Sequence, residues 1–302
     1  MRPEPTQHIG GQIKEVFHRE RTFMKLPLYG IALLLISLST NSIAQPLFPH
    51  VTIDGNSFIP REPIWITATL MNPDTVPIDY TRPFFEGGNL ELVLMDSQRL
   101  PLKYKGVIWY AVGRVFTLNA HDSQAVSGRL LDYFGTNEFA DNLSPHFLAE
   151  GFYYLTVNYT DNLDHRTGGD TVSFRIRRPN PSEAVQESLL VLIRKYLYRD
   201  KNRKEATTVK NKLIQEYPKG PLFEQALYEF VGGNDTDYEN LMQEAFAKAP
   251  DSRFAEYYVG SAAINHAGRG NIKALNNYLE AIILKFPNTR TAKKAKSLLK
   301  SE

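Results

Sequence analysis

From Gln45 to about Arg178 apolar and polar positions alternate. Ile64, Ile66, Ala68 and Leu70 fall on one side of an extended chain, with Trp65, Thr67 and Thr69 on the other. Leu90, Leu92 and Leu94 repeat the pattern, as do Tyr153, Leu155, Val157 and Tyr159, and then Val172, Phe174 and Ile176. A period of two, rich in β-branched and aromatic residues, predicts half-buried strands. Turn signals separate them at Asp54-Gly55-Asn56, Asn72-Pro73-Asp74, Gly87-Gly88-Asn89, Asp96-Ser97 and Gly168-Gly169-Asp170. Short strands with no helical pattern between them predict a two-sheet antiparallel sandwich.

After Arg178-Pro179-Asn180-Pro181 the period changes. Two prolines in three residues stop a strand and make a short stiff linker. Ser182 is the expected N-cap, with Glu183 in the first turn. Val185, Leu189, Leu192, Ile193, Tyr196 and Leu197 then recur at spacings of three and four, which predicts an amphipathic helix. Further helical patterns follow, broken at Asp200, Pro218, Gly232-Gly233, Pro250, Gly268-Arg269-Gly270 and Pro287. The segments "IQEYPKGPLFEQAL", "AFAKAPDSRFAEYY" and "ILKFPNTRTAKKAK" share one layout: a helix end, a proline, a polar turn and a new helix. The prolines lie 32 and 37 residues apart.

Two resemblances follow from these segments. "REPIWITATLMN" resembles the second strand of bacterial Ig-like domains, with Arg61 where those domains usually carry glycine. "LAEGFYYLTVNY" is similar to their penultimate strand, with Leu148, Gly151 and Tyr153 at tyrosine-corner spacing. That resemblance implies a structural Tyr153 whose hydroxyl ties the strand entrance back to the backbone. The proline-marked segments resemble tetratricopeptide repeats, whose period is about 34 residues. Ala274, Tyr278 and Ala281 match the small-aromatic-small series of that family's second helix, and Ala245 precedes Pro250 by five residues. The expected fold is therefore multidomain, all-β plus all-α: an antiparallel Ig-like β-sandwich followed by a tetratricopeptide-like α-solenoid. The expected boundaries are 1–44 for an N-terminal extension and signal peptide, 45–178 for the sandwich, 179–181 for the linker and 182–302 for the helical repeats.

The start of the chain carries an address. Met24-Lys25 precedes the apolar stretch Leu26–Leu38, and small residues follow, with Ser42 at −3 and Ala44 at −1. This is the layout of a cleaved signal peptide, and cleavage after Ala44 is expected, with translation starting at Met24. The apolar run is shorter than the ~18–20 residues a membrane span needs, which makes an uncleaved anchor the alternative. The expected location is periplasmic or secreted, with no stable membrane insertion after cleavage.

Composition adds three exclusions. Apolar residues at 42% and charged residues at 23% rule out disorder over the whole chain. The lack of cysteine rules out disulfides and thiolate metal sites. The net charge of +2 lies wholly in residues 1–44; residues 45–181 carry 11 basic and 15 acidic side chains, and residues 182–302 carry 19 and 15. The mature chain is thus neutral, and no nucleic-acid partner is expected.

No catalytic, cofactor-binding or metal-binding residue is singled out as a site. Gly268-Arg269-Gly270 reads as a turn and not as a phosphate loop, and Ser261 lacks the second glycine of a nucleophile elbow. Asp161, Asn162, Asp164 and Asp170 offer hard oxygen ligands for calcium, but their spacing matches no defined calcium loop, so a polar hairpin is preferred. His121, His146 and His165 show no convergence for zinc. Trp65, Trp109, Tyr104 and Tyr110 would make a sugar-stacking platform if exposed; packing is the preferred reading. The basic run Arg194–Lys204 reads as a solvated helix end. The expected function is an exported, non-enzymatic protein-binding or scaffold protein without cofactor. A protein or peptide partner would sit on the helical repeats, with the sandwich as spacer or second contact. Two alternatives stand beside it: a carbohydrate-binding accessory protein acting through the sandwich, and a hydrolase with an unrecognised site.

Overall fold

The computed structural model describes residues 47–81, 83–85, 89–106, 115–137, 146–160, 167–229, 238–268 and 272–299. The signal-peptide reading over residues 24–44 lies outside them. Gln45–Glu302 forms one compact unit.

The alternating segments do become strands, but they do not make the sandwich that was expected. Eleven short strands distribute over four small sheets among the described residues. One sheet joins β1 (Pro49–Ile53), β3 (Trp65–Met71) and β7 (Ser123–Arg129) in the order β1-β3-β7. A second has the order β2-β11-β10-β5, from Ser57–Phe58, Thr167–Ile176, Gly151–Thr160 and Leu90–Met95. Two-stranded pieces pair β4 (Ile78–Thr81) with β6 (Val115–Leu118) and β8 (Thr136–Asn137) with β9 (His146–Phe147). The β2–β11 pair is parallel, where an all-antiparallel arrangement was expected. The positions read as inward around β3 and β5 are buried: Ile64, Ile66, Ala68 and Leu70, and Leu90, Leu92 and Leu94. Tyr153 donates its hydroxyl to Ala149 O at 2.9 Å, closing the corner at the entrance to β10.

β11 runs almost directly into helix. Helix α1 (Pro181–Arg194) is capped by Asn180, two residues before the expected Ser182. The Asn180 side chain accepts from Glu183 N at 2.9 Å, and the Glu183 carboxylate accepts from Asn180 N at 2.8 Å. This reciprocal box, with Pro181 preset for the first helical position, starts the helix inside the expected linker. Arg177 clamps the joint with two hydrogen bonds of 2.6 Å to Glu183, and that bonding holds the Glu183 carboxyl below its ordinary value.

A π-helical turn (Lys195–Arg199) follows α1. Then come α2 (Arg203–Glu216), α3 (Phe223–Tyr228), α4 (Tyr238–Lys248), α5 (Arg253–Gly268), α6 (Ile272–Lys285) and α7 (Arg290–Leu299). Each of the three prolines falls between a helix end and a helix start: Pro218 between α2 and α3, Pro250 between α4 and α5, Pro287 between α6 and α7. The units are unequal, however, since α3 has six residues and α5 has 16.

The protein is therefore mixed α/β, with seven α-helices and several small sheets among its described residues. It is not an all-β Ig-like sandwich followed by an all-α tetratricopeptide-like solenoid. The physical reason is shared burial. Ile59, from the strand-rich half, is fully buried among Leu189, Leu190 and Ile193 of α1 and residues of α2. Trp65, on the face of β3 opposite Ile64, Ile66, Ala68 and Leu70, is 6% exposed and belongs to the main helical cluster with Phe246, Phe254 and Leu279. The helices cover sheet as well as one another.

Candidate functional site

Where strands meet helices the chain leaves an open cleft of about 620 Å³. One wall is the segment from Asp54 to Trp65, including Glu62 and Pro63. The other is made by the proline turns: Pro218 to Pro221 ahead of α3, Ala249 to Arg253 ahead of α5, and Arg290 at the start of α7. Prolines stop each preceding helix, and the turns that follow line one cleft.

Hydrogen bonds stack the turns. Ser252 donates to Glu224 at 2.6 Å and accepts from Phe254 N at 3.1 Å. Asp251 accepts from Arg290 N at 2.9 Å, and the buried Thr291 hydroxyl donates to Pro250 O. Across the cleft Arg253 grips Asp54 in a two-pronged pair at 2.7 and 2.9 Å. Two-pronged guanidinium–carboxylate pairs fix orientation as well as distance. Beneath it the Trp65 ring meets Phe254 edge-on at 5.1 Å and Tyr257 at 6.1 Å. Arg129, held by Asp132 at 2.9 Å, lies 5.4 Å over the Phe254 ring.

Glu62 differs from the other acids of the cleft. Burial pushes its carboxyl above the ordinary 4.5, although Ile59 N donates to it at 3.0 Å and Arg177 lies nearby. Its oxygen closes the turn Ile59–Glu62, whose Glu62 N also donates to Ile59 O at 3.1 Å.

A second polar group lies in the helical interior. Arg194 and Glu229, both almost fully buried, pair at 3.2 Å. Gln225 donates to the same carboxylate at 2.5 Å and Tyr198 at 3.1 Å. Glu229 and burial together push the Tyr198 hydroxyl upward. Arg194 and Tyr198 therefore turn inward, where the basic run was expected to form a solvated end.

The other residues singled out in the sequence are dispersed. Asp170 ties β1 to β11, accepting from Val51 N at 2.9 Å and lying 3.1 Å from His50 Nδ1. Asp161, Asn162, Asp164 and His165 lie outside the described residues. His146 contacts Leu131 O at 2.8 Å, and His121 sits in a turn with φ of 60°. Among the described residues no group of three or more His, Asp or Glu is placed to hold a metal. Tyr104 stacks on Tyr133 at 5.8 Å and Trp65 is buried, so neither offers a face to a sugar. Trp109 and Tyr110 lie outside the described residues, as does the Ser261 side chain. No described helix is long and apolar enough to cross a membrane.

The cleft itself was not anticipated. One signal was available: a tryptophan on the face of a strand opposite its core-facing residues implies a cover, because burying so large a ring is strongly favourable.

No family model matches the chain, and no curated protein does. Among solved structures it is similar in part to a sporulation control protein of Bacillus subtilis, at 11% identity over 48% of this chain and 56% of that one, with a TM-score of 0.27. It is also similar to a β-glucosidase of Listeria innocua, at 12% identity over 44% of this chain and 16% of that one, TM-score 0.26. A cycloisomaltooligosaccharide glucanotransferase of Paenibacillus sp. gives 13% identity over 51% and 18%, TM-score 0.24. The chain spans just over half of the first and less than a fifth of the other two. Likenesses this slight carry no argument about fold or activity.

Proposed function

We propose that this is an exported, non-enzymatic binding protein that holds a peptide segment of a protein partner in the cleft between its strands and helices. The cleft carries the reading. Its volume lies within the ~300–1,000 Å³ of ordinary ligand sites, and its walls are turn backbones and prolines from both halves. Its carboxylates are occupied in holding those walls: Asp54 by Arg253, Glu224 by Ser252 and Asp251 by Arg290 N. Acids so engaged suit a rigid recognition surface better than proton transfer.

The test is site-specific photo-cross-linking in living cells. A photoreactive residue at Lys219, on the cleft, is expected to trap one protein partner in stoichiometric amount, while the same group at Leu284, a remote exposed position, traps none. Equal trapping from both positions, or glycan in place of protein, overturns the reading. Export is tested on the same material: the mature chain is expected to begin at Gln45, and a different N-terminus refutes cleavage after Ala44.

A further inference from the structure

We infer that the terminal helix pair, α6 and α7, is a docking face for a membrane surface rich in anionic phosphate headgroups. It concerns a surface other than the cleft and does not rest on the peptide-binding reading.

The chain from Gln45 onward is neutral, but its charge is not evenly spread. Arg290, at the start of α7, opens on the cleft and has Asp251 beside it, bonded to its N. Apart from that pair, the two helices carry five lysines, at 273, 285, 293, 294 and 296, against one acid, Glu280. Among the described residues none of the five lysines has an ion-pair partner. Lys285 donates to Gln243 Oε1 at 3.1 Å, and that partner is neutral. The carboxylates of the neighbouring helices are engaged elsewhere: Glu244 with Lys248, and Glu256 with Arg253. The surplus on this pair is therefore real charge that nothing described here cancels.

Packing turns the lysines outward. Thr291, Ala292 and Ala295 bury one side of α7, and the helical period puts Lys293, Lys296 and Ser297 on the other, all exposed. On α6, Leu275, Leu279 and Ile282 face inward, while Lys273, Glu280 and Leu284 are exposed. Leu284 is 81% exposed, more than any other large apolar side chain among the described residues, and it is no part of the cleft. Two features favour lipid over an acidic protein. The five cations are lysines, point charges without the fork that fixes a single carboxylate, and such charges sum over a plane of headgroups wherever each one falls. Leu284 stands free on the back of a helix, where it enters the headgroup boundary beside the lysines, whereas the anchors of protein interfaces fill pockets.

The experiment is vesicle flotation of Gln45–Glu302, a compact unit by itself, so that the apolar stretch Leu26–Leu38 cannot act as the anchor. On vesicles of phosphatidylcholine with about 30% phosphatidylglycerol, binding at low salt is expected to be at least ~10-fold tighter than on phosphatidylcholine alone, and added salt should weaken it. Lys273→Gln/Lys293→Gln/Lys296→Gln changes exposed side chains only. It is expected to keep the parent's circular dichroism and to lose the preference for anionic vesicles, while arginine at the same three positions keeps it. Leu284→Ser retains the charge and should bind the anionic vesicles a few-fold more weakly. Equal binding to the two vesicle types, binding to neither, or an undiminished preference in the glutamine variant overturns the inference. Retention on polyglutamate or on a DNA duplex, with both vesicles left unbound, overturns it in favour of an acidic protein or a nucleic acid. None of these outcomes bears on the cleft.

Discussion

Trp65→Ala tests whether strands and helices stand or fall together. A tryptophan side chain buries roughly 200 Å², worth about 5 kcal/mol at ~25 cal/mol per Å². At 6% exposure nearly all of that is realised here. Alanine keeps only the Cβ contribution, while the edge-on contact with Phe254 adds about 1 kcal/mol. Measured truncations of this kind cost ~3–5 kcal/mol, so about 4 kcal/mol is expected. Against a typical total of ~5–15 kcal/mol this is a large fraction, and at an m-value of about 2.5 kcal/mol/M the urea midpoint falls by about 1.5 M. Amide exchange supplies the second readout. In the native protein the most protected amides of β10 and α5 are expected to open together. In Trp65→Ala those of α5 open at lower free energy, because the variant strips the cover the two halves share. Phe254→Ala and the double variant complete a cycle whose coupling is expected at about 1 kcal/mol. A loss under about 1 kcal/mol, or unchanged exchange in α5, would refute the claim that Trp65 joins the halves.

Three further outcomes follow from charge. Glu229→Gln leaves the buried Arg194 without its counter-charge and is expected to cost about 3–5 kcal/mol in urea unfolding; Arg194→Met/Glu229→Leu together should cost less than either single change, because no lone charge remains. On the pH axis, the raised carboxyl of Glu62 means that the folded state binds the extra proton, so its contribution falls as pH rises from 4.5 through the folded value. Thermal melts should therefore show Glu62→Gln matching the parent near pH 4 and exceeding it at pH 7. Glu183, held low by Arg177, works in the other direction, its contribution being lost as pH drops below 4.5; Glu183→Gln should melt earlier at pH 7.

The strands were legible because alternation reports which side of a residue is buried. Leu90, Leu92 and Leu94 read as inward and are inward. Alternation says nothing about which strand lies alongside, so β2 joining β11 in parallel had no local signature. The breaks at Pro218, Pro250 and Pro287 were equally plain, since proline cannot continue a helix. That their turns would gather on one edge and face Asp54 depends on contacts some 200 residues apart. No periodic pattern encodes such a distance. The cap of α1 shows the smaller version of the problem: Asn180 and Ser182 are both good caps by type, and the Glu183 carboxylate, reaching back to Asn180 N, decides between them.

The Arg177–Glu183 clamp has a mechanical consequence. The usual weak point between sheet and helix, a loose connector, is here a splint: the last strand and first helix are braced across six residues of backbone. Beyond that splint, the wide turn at Lys195–Arg199 interrupts regular winding in the helices that follow. On the peptide-binding reading proposed above, a receptacle hinged so stiffly would sort its guests by the shape it already has, and its discrimination should survive in a crystal soaked with peptide as well as in solution.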